Sequence, residues 1–265
     1  MARDASPEEE EFRAGLDELE QDARAAARFT YAAETIDYLR NQRPTLMATL
    51  DRDAGFWDTV LGALQTASIA ALARLYDPRN EVMSAARVLD YASTHAAALF
   101  NPTALQSRQA RAGNGGDAAH PDVEGYRCGI ENFAGLRAAL DEHTALYEYA
   151  IRPIRYELFT ESGRRSLLET LALFQIVEKA DFQKLALFPS SLHGALRRLF
   201  QEGRKPLLDE APADVAGLIA SPAGERDADP WEQGCMVRDA WRFLTGLEDA
   251  EMPANEAARR DRYED

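Results

Sequence analysis

An all-α, antiparallel helical bundle is the fold class that the 265-residue sequence predicts, on three observations. Apolar side chains recur at steps of three, four and seven through most of the chain, the period of a helix with one buried face. Start and stop residues punctuate those stretches where a helix needs capping. No segment alternates apolar and polar residues at the period of a half-buried strand, so long helices running against one another are the expected architecture.

Ser6-Pro7-Glu8-Glu9 opens the first helix with a capping hydroxyl, a proline in the first turn and acids at the positive end of the helix dipole. Phe12, Leu16, Leu19, Ala23 and Ala26 keep helical spacing to about Arg40, and Pro44 stops the run. Phe56 to Tyr76 carries Phe56, Val60, Leu64, Ala67, Ala71 and Leu75 on one stripe with Trp57, Leu61, Ser68 and Leu72 beside it, a face wide enough for two neighbours. Asp77-Pro78 ends it. A helix from about Ser84 to Phe100 follows, then a short one around Thr103 to Ala112. Gly113-Asn114-Gly115-Gly116-Asp117 has the composition of a linker, without the preceding strand that a phosphate-binding glycine loop needs. Helix resumes from Val123. Leu167, Leu168, Leu171 and Phe174 mark another helix, and Leu185, Leu192, Leu196 and Leu199 the next, with Pro189 expected to interrupt it. Gly203-Arg204-Lys205-Pro206 is a helix stop. Trp231, Val237, Trp241, Leu244 and Leu247 build one more amphipathic helix before a charged tail.

The expected organisation is a helical arm over residues 1–50, a helical core over 51–210, and an extension over 211–265 with one amphipathic helix and a disordered tail. A hydrophobic content of 46% supplies such a core. The start, MARDASPEEEEF, is acidic where a signal peptide needs basic residues, and no apolar run approaches the length of a membrane span. A cytoplasmic protein with no membrane partner is expected. Cys128 and Cys235 are too few and unpatterned for a disulfide framework or a zinc site, and nothing calls for a cofactor. A net charge of −15 argues against indiscriminate nucleic-acid binding, because a negative field repels a polyanion. A local arginine cluster escapes that argument.

Asp141 to Arg165, DEHTALYEYAIRPIRYELFTESGRR, holds the best candidate for such a cluster. Leu136, Leu140, Tyr147, Ile151, Ile154 and Leu158 form one buried seam. Pro153 predicts a kink or a new helix near Ile151. Arg152 and Arg155, three apart, share a face and can aim at one phosphate or carboxylate. A salt-bridged basic spot on an acidic protein uses the same pattern. Arg204 and Lys205 are a second candidate phosphate-binding pair, although basic residues at the negative end of a helix dipole also account for them.

IRPIRYELFTE resembles a segment of the HEPN superfamily (higher eukaryotes and prokaryotes nucleotide-binding), in its abortive-infection branch. LHGALRRLFQEGRKPLL is similar to that branch's closing helix, and FWDTVLGALQTASIAALARLYDPR to its first core helix. The resemblance implies that the 51–210 core is HEPN-like, that the protein forms a homodimer, and that it serves in phage defence or a toxin–antitoxin pair. It also implies a metal-independent ribonuclease site of an arginine followed after four to six residues by a histidine. Arg155 falls at that arginine, and Glu161 stands where the histidine belongs. A carboxylate with a reference pKa near ~4.3 is ionised at neutral pH and only accepts a proton, whereas an imidazole near ~6.5 both accepts and donates. Metal-free cleavage needs a base for the 2′-hydroxyl and an acid for the leaving oxygen. Arg152, Arg155 and the degenerate position Glu161 are thus the catalytic candidates, and efficient cleavage is not expected of them.

Arg137 and His143 also satisfy the bare spacing. With 27 arginines and four histidines, chance supplies about one such pair. His143 follows Leu136 by seven, at the edge of the seam, which predicts a packed imidazole. The expected function is therefore binding, of RNA or of a protein partner, without efficient cleavage. An active metal-independent endoribonuclease and a helical interaction module without nucleic-acid function are the alternatives.

Overall fold

A computed structural model describes residues 5–77, 84–111, 130–160, 177–210, 214–220 and 232–260. Among them are eleven helices and no strand, as periodicity predicts. The glycine linker, the helix expected over Leu167 to Phe174, Glu161 and Trp231 lie outside the described residues.

The first helix, α1 (Pro7–Gln42), starts where the sequence places it: Ser6 Oγ accepts the Glu9 N–H at 3.3 Å, with Glu8, Glu9 and Glu10 in the first turn. Pro44 ends α1 and becomes the first residue of α2 (Pro44–Arg52), where its missing N–H costs nothing. Next come α3 (Ala54–Tyr76) and α4 (Ala85–Thr94), the latter capped by Ser84. The single helix expected over Ser84 to Phe100 is in fact divided: His95 leaves helical geometry, and α5 (Ala96–Leu99) follows it. The His95 ring lies 4.3 Å from the Tyr91 ring, so aromatic stacking occupies it. Asn101 then ties α5 to α6 (Pro102–Arg111), donating to Ala97 and Ala98 carbonyls while accepting the Ala104 N–H at 2.8 Å.

The expected break near Pro153 separates α7 (Ile130–Ala150) from α8 (Arg152–Thr160). α9 (Lys179–Glu202) departs from expectation, because it continues through Pro189. A proline there leaves the Leu185 carbonyl without its helical donor. The Tyr76 hydroxyl, from the end of α3, donates to that carbonyl at 2.9 Å inside the core and fills the vacancy. α10 (Val215–Ala220) and α11 (Glu232–Arg260) complete the fold.

Phe12, Leu16 and Leu19 of α1 pack with Leu72 and Tyr76 of α3, with the seam from Leu136 to Leu158, and with Leu185, Leu192 and Leu196 of α9. Further along α1, Tyr31 meets Val215, Leu218 and Val237, and Ile36 and Leu39 meet Leu46, Leu50 and Leu244. α1 therefore runs through all three apolar clusters, and its two halves hold different neighbours. Buried hydroxyls of Thr30 and Ser68, 2.6 Å apart, pin α1 to α3. No helix among the described residues is long and apolar enough to cross a membrane.

Gly203 ends α9 with φ 68°, and its N–H reaches the Leu199 carbonyl at 3.1 Å. A Cβ at this position would stand 2.6 Å from Leu105 Cδ2 of α6. Gly203→Ala is therefore expected to lose about 1–3 kcal/mol, through left-handed strain and overpacking together. Urea denaturation checks this, and a stability equal to the parent's would refute it.

Candidate functional site

The α7–α8 junction exposes what the buried seam does not use. Leu136, Leu140, Tyr147, Ile151, Ile154 and Leu158 are all in the core, so they fix which way the rest of each helix faces. Tyr149, Tyr156 and Phe159 are turned outward, at 84%, 65% and 51% exposure. Their spacing of seven and three places them along one stripe. Sequence reasoning singled out the seam and the arginines and passed over this stripe. Its signal was present in the same periodicity, as the aromatic positions that the apolar face leaves unused.

The structure gives each arginine of the pair its own carboxylate. Arg152 forms an ion pair with Glu148 one turn earlier on α7, and Arg155 forms one with Asp77, the residue that ends α3. The Asp77 side chain is nine-tenths buried, whereas that of Arg155 is about one-third exposed. Burial works against the Arg155 charge, but the hydrogen bond to Asp77 and the adjacent Tyr147 outweigh it and raise its pKa. The Tyr147 phenol is itself pushed up by burial, against the pull of Arg155. Its hydroxyl is enclosed beside the guanidinium without a hydrogen bond of regular geometry. A phosphate approaching Arg155 has to compete with Asp77, whose carboxylate is seated in the protein and not free to swing away. Sequence reasoning took Asp77 only as a helix stop; a carboxylate 78 residues from its arginine leaves no local signal.

Arg137 and His143 are engaged elsewhere. Arg137 pairs with Asp90. The His143 Nδ1 lies 2.8 Å from the Ala139 carbonyl, and its ring stacks on Phe188 at 3.9 Å. This is the packed imidazole that its place in the seam predicts. Arg204 Nε lies 3.2 Å from Glu202 at the surface, and Lys205 is exposed beside it. Among the described residues, no group of three or more His, Cys, Asp or Glu side chains is arranged to hold a metal ion.

Chemically, the junction offers two charge-matched arginines, a buried phenol and an exposed aromatic stripe. A contact surface needs all but the phenol; a proton-transfer site would need an acid and a base within reach of one substrate atom. Compared with known proteins, the chain matches the HEPN family model AbiU2 over residues 9–160, more than half its length. The match takes in α1 and ends with α8. None of the curated proteins and none of the solved structures matches.

Proposed function

The chain belongs to the AbiU2 family of HEPN proteins, in the abortive-infection branch, and from that premise we propose that it works by binding a protein partner through the outer face of α8, without efficient RNA cleavage. Phage defence or a toxin–antitoxin pair, in the cytoplasm, is the setting of that activity, and a second copy of the chain is the first partner to test. One observation carries the reading: Arg152 and Arg155 are answered by the protein's own carboxylates while Tyr149, just before them on α7, and Tyr156 and Phe159, after them on α8, stand exposed. Exposed aromatic clusters with their neighbouring charges neutralised are the composition of protein interfaces, whose affinity concentrates in a few aromatic anchors. RNA held on the same face is a second reading, supported by arginines flanking rings on which bases stack.

Two measurements test this. The purified chain, incubated with labelled transfer and messenger RNA with and without EDTA, is expected to leave both intact. Cleavage that Arg155→Ala abolishes would overturn the proposal. Light scattering and titration with the product of a neighbouring gene then measure assembly, and Tyr149→Ser with Phe159→Ser is expected to weaken it about tenfold or more. If assembly is unaffected, whereas Arg152→Ala with Arg155→Ala weakens RNA binding and flattens its salt dependence, the RNA reading replaces the protein one.

A further inference from the structure

A groove between α1, α6 and α9, of about 580 Å³, is lined by Arg13, Arg108, His193, Arg197 and Phe200 among others. None of these residues belongs to the α7–α8 junction. The groove is built over a buried arginine. Arg108 is only 7% exposed, its Nε donates to the Phe200 carbonyl at 2.8 Å, and its guanidinium lies 4.2 Å from the centre of the Phe200 ring. Those two contacts explain one of its five N–H donors and one of its faces. Among the described residues, they leave both terminal nitrogens buried without a hydrogen-bond partner. Four donors withdrawn from water and unanswered are costly, and a native structure keeps such a group when something else completes it.

Among the described residues, no carboxylate does so. Buried Glu9, whose charge acts on Arg108, is already claimed by Arg13 at 3.2 Å and by Arg111. Glu9 is thus shared among three arginines, and the groove itself sets Arg13, Arg108 and Arg197 against Asp17, Glu20 and Glu202. Burial lowers the Arg108 pKa to about 10, so the group is still a cation at neutral pH. The His193 imidazole, also buried, has its pKa lowered by desolvation and is neutral there.

We propose that this groove is a binding site for a small ligand carrying one oxyanion group, a carboxylate or a phosphate, which the two terminal nitrogens of Arg108 grip through paired oxygens while Arg13 and Arg197 close over it. A planar guanidinium with two parallel donors matches two oxygens of one such group. The rim side chains suit that closing role, since Arg13 and Arg197 are more than half exposed and able to turn. Asp17 and Glu20 line the same groove, so the rest of the ligand bears hydroxyl or amine donors and a low total negative charge. The volume is that of small-molecule sites in general.

Titrating the full chain with sodium phosphate and, separately, sodium acetate, each against sodium chloride at matched ionic strength, tests the site by calorimetry and by thermal unfolding. At least one anion is expected to bind saturably and raise Tm; a response to phosphate alone identifies a phosphate ester, and one to acetate a carboxylate. Arg108→Gln is expected to lose about tenfold or more in affinity. Saturation by neither anion, or a folded Arg108→Gln chain that titrates like the parent, overturns the proposal. Should circular dichroism show Arg108→Gln unfolded, Arg13→Gln with Arg197→Gln decides: severalfold weaker binding supports the site, and unchanged binding removes it.

Discussion

Phe12→Ala is expected to destabilise the protein by about 3–5 kcal/mol, as truncation of a fully packed phenylalanine does. Phe12 is buried to 1% exposure and touches three other rings. The Phe200 ring of α9 lies 5.1 Å away and that of Phe100, at the end of α5, 5.7 Å away, both edge-on, while Tyr91 of α4 stacks at 6.5 Å. Removing the ring opens a cavity where four segments converge, and rigid helices cannot collapse into it. The reach of α1 through every apolar cluster then carries the loss to the whole fold. Urea denaturation measures the change, with Phe56→Ala as the comparison. Phe56 is 62% exposed, so its truncation is expected to move stability by about 0.5 kcal/mol or less. A Phe12→Ala loss no larger than that would mean the amino-terminal helix is not integral to the core.

Tyr76→Phe removes one oxygen atom and is expected to cost about 1–3 kcal/mol, the penalty for stranding a buried acceptor. The stranded group is the Leu185 carbonyl, which Pro189 cannot serve from within α9. This gives the prediction a second half. Pro189→Ala restores an N–H at the position that normally bonds Leu185, so it should rescue most of the loss in the Tyr76→Phe background while changing the parent little. The coupling between the two substitutions in a double-mutant cycle is expected to approach the single-site penalty. Strict additivity would show that the hydroxyl and the proline do not share the carbonyl.

The same pair of residues shows how far the sequence could be read. Helical periodicity located the seam from Leu136 to Leu158, the break near Pro153 and the turn at Gly203, because each depends on neighbours within a turn or two. Pro189 obeyed the same local rule on paper and escaped it in the fold, since the compensating donor comes from another helix. At the candidate site, Arg152 and its partner Glu148 are four apart and legible as a helical pair. Arg155 and Asp77 are not. Nor is the state of Arg108: in the sequence it is one basic residue in the last turn of a short helix, the ordinary complement to a helix dipole. Only its burial against Phe200 makes its unanswered donors conspicuous.

By itself the sequence determined the all-α class, most helix limits, the buried faces of α1, α7–α8 and α9, and the membership of the HEPN superfamily, all of which follow from short-range spacing and local phrases, whereas the stripe read on α3 starts at Phe56, which the fold leaves exposed. The tertiary structure alone decided which charges are spent and which surfaces are left over. Whether a guanidinium is matched, stacked or stranded depends on groups that folding brings from tens of residues away, and the free energy of a buried charge is set by those neighbours rather than by its own place in the chain.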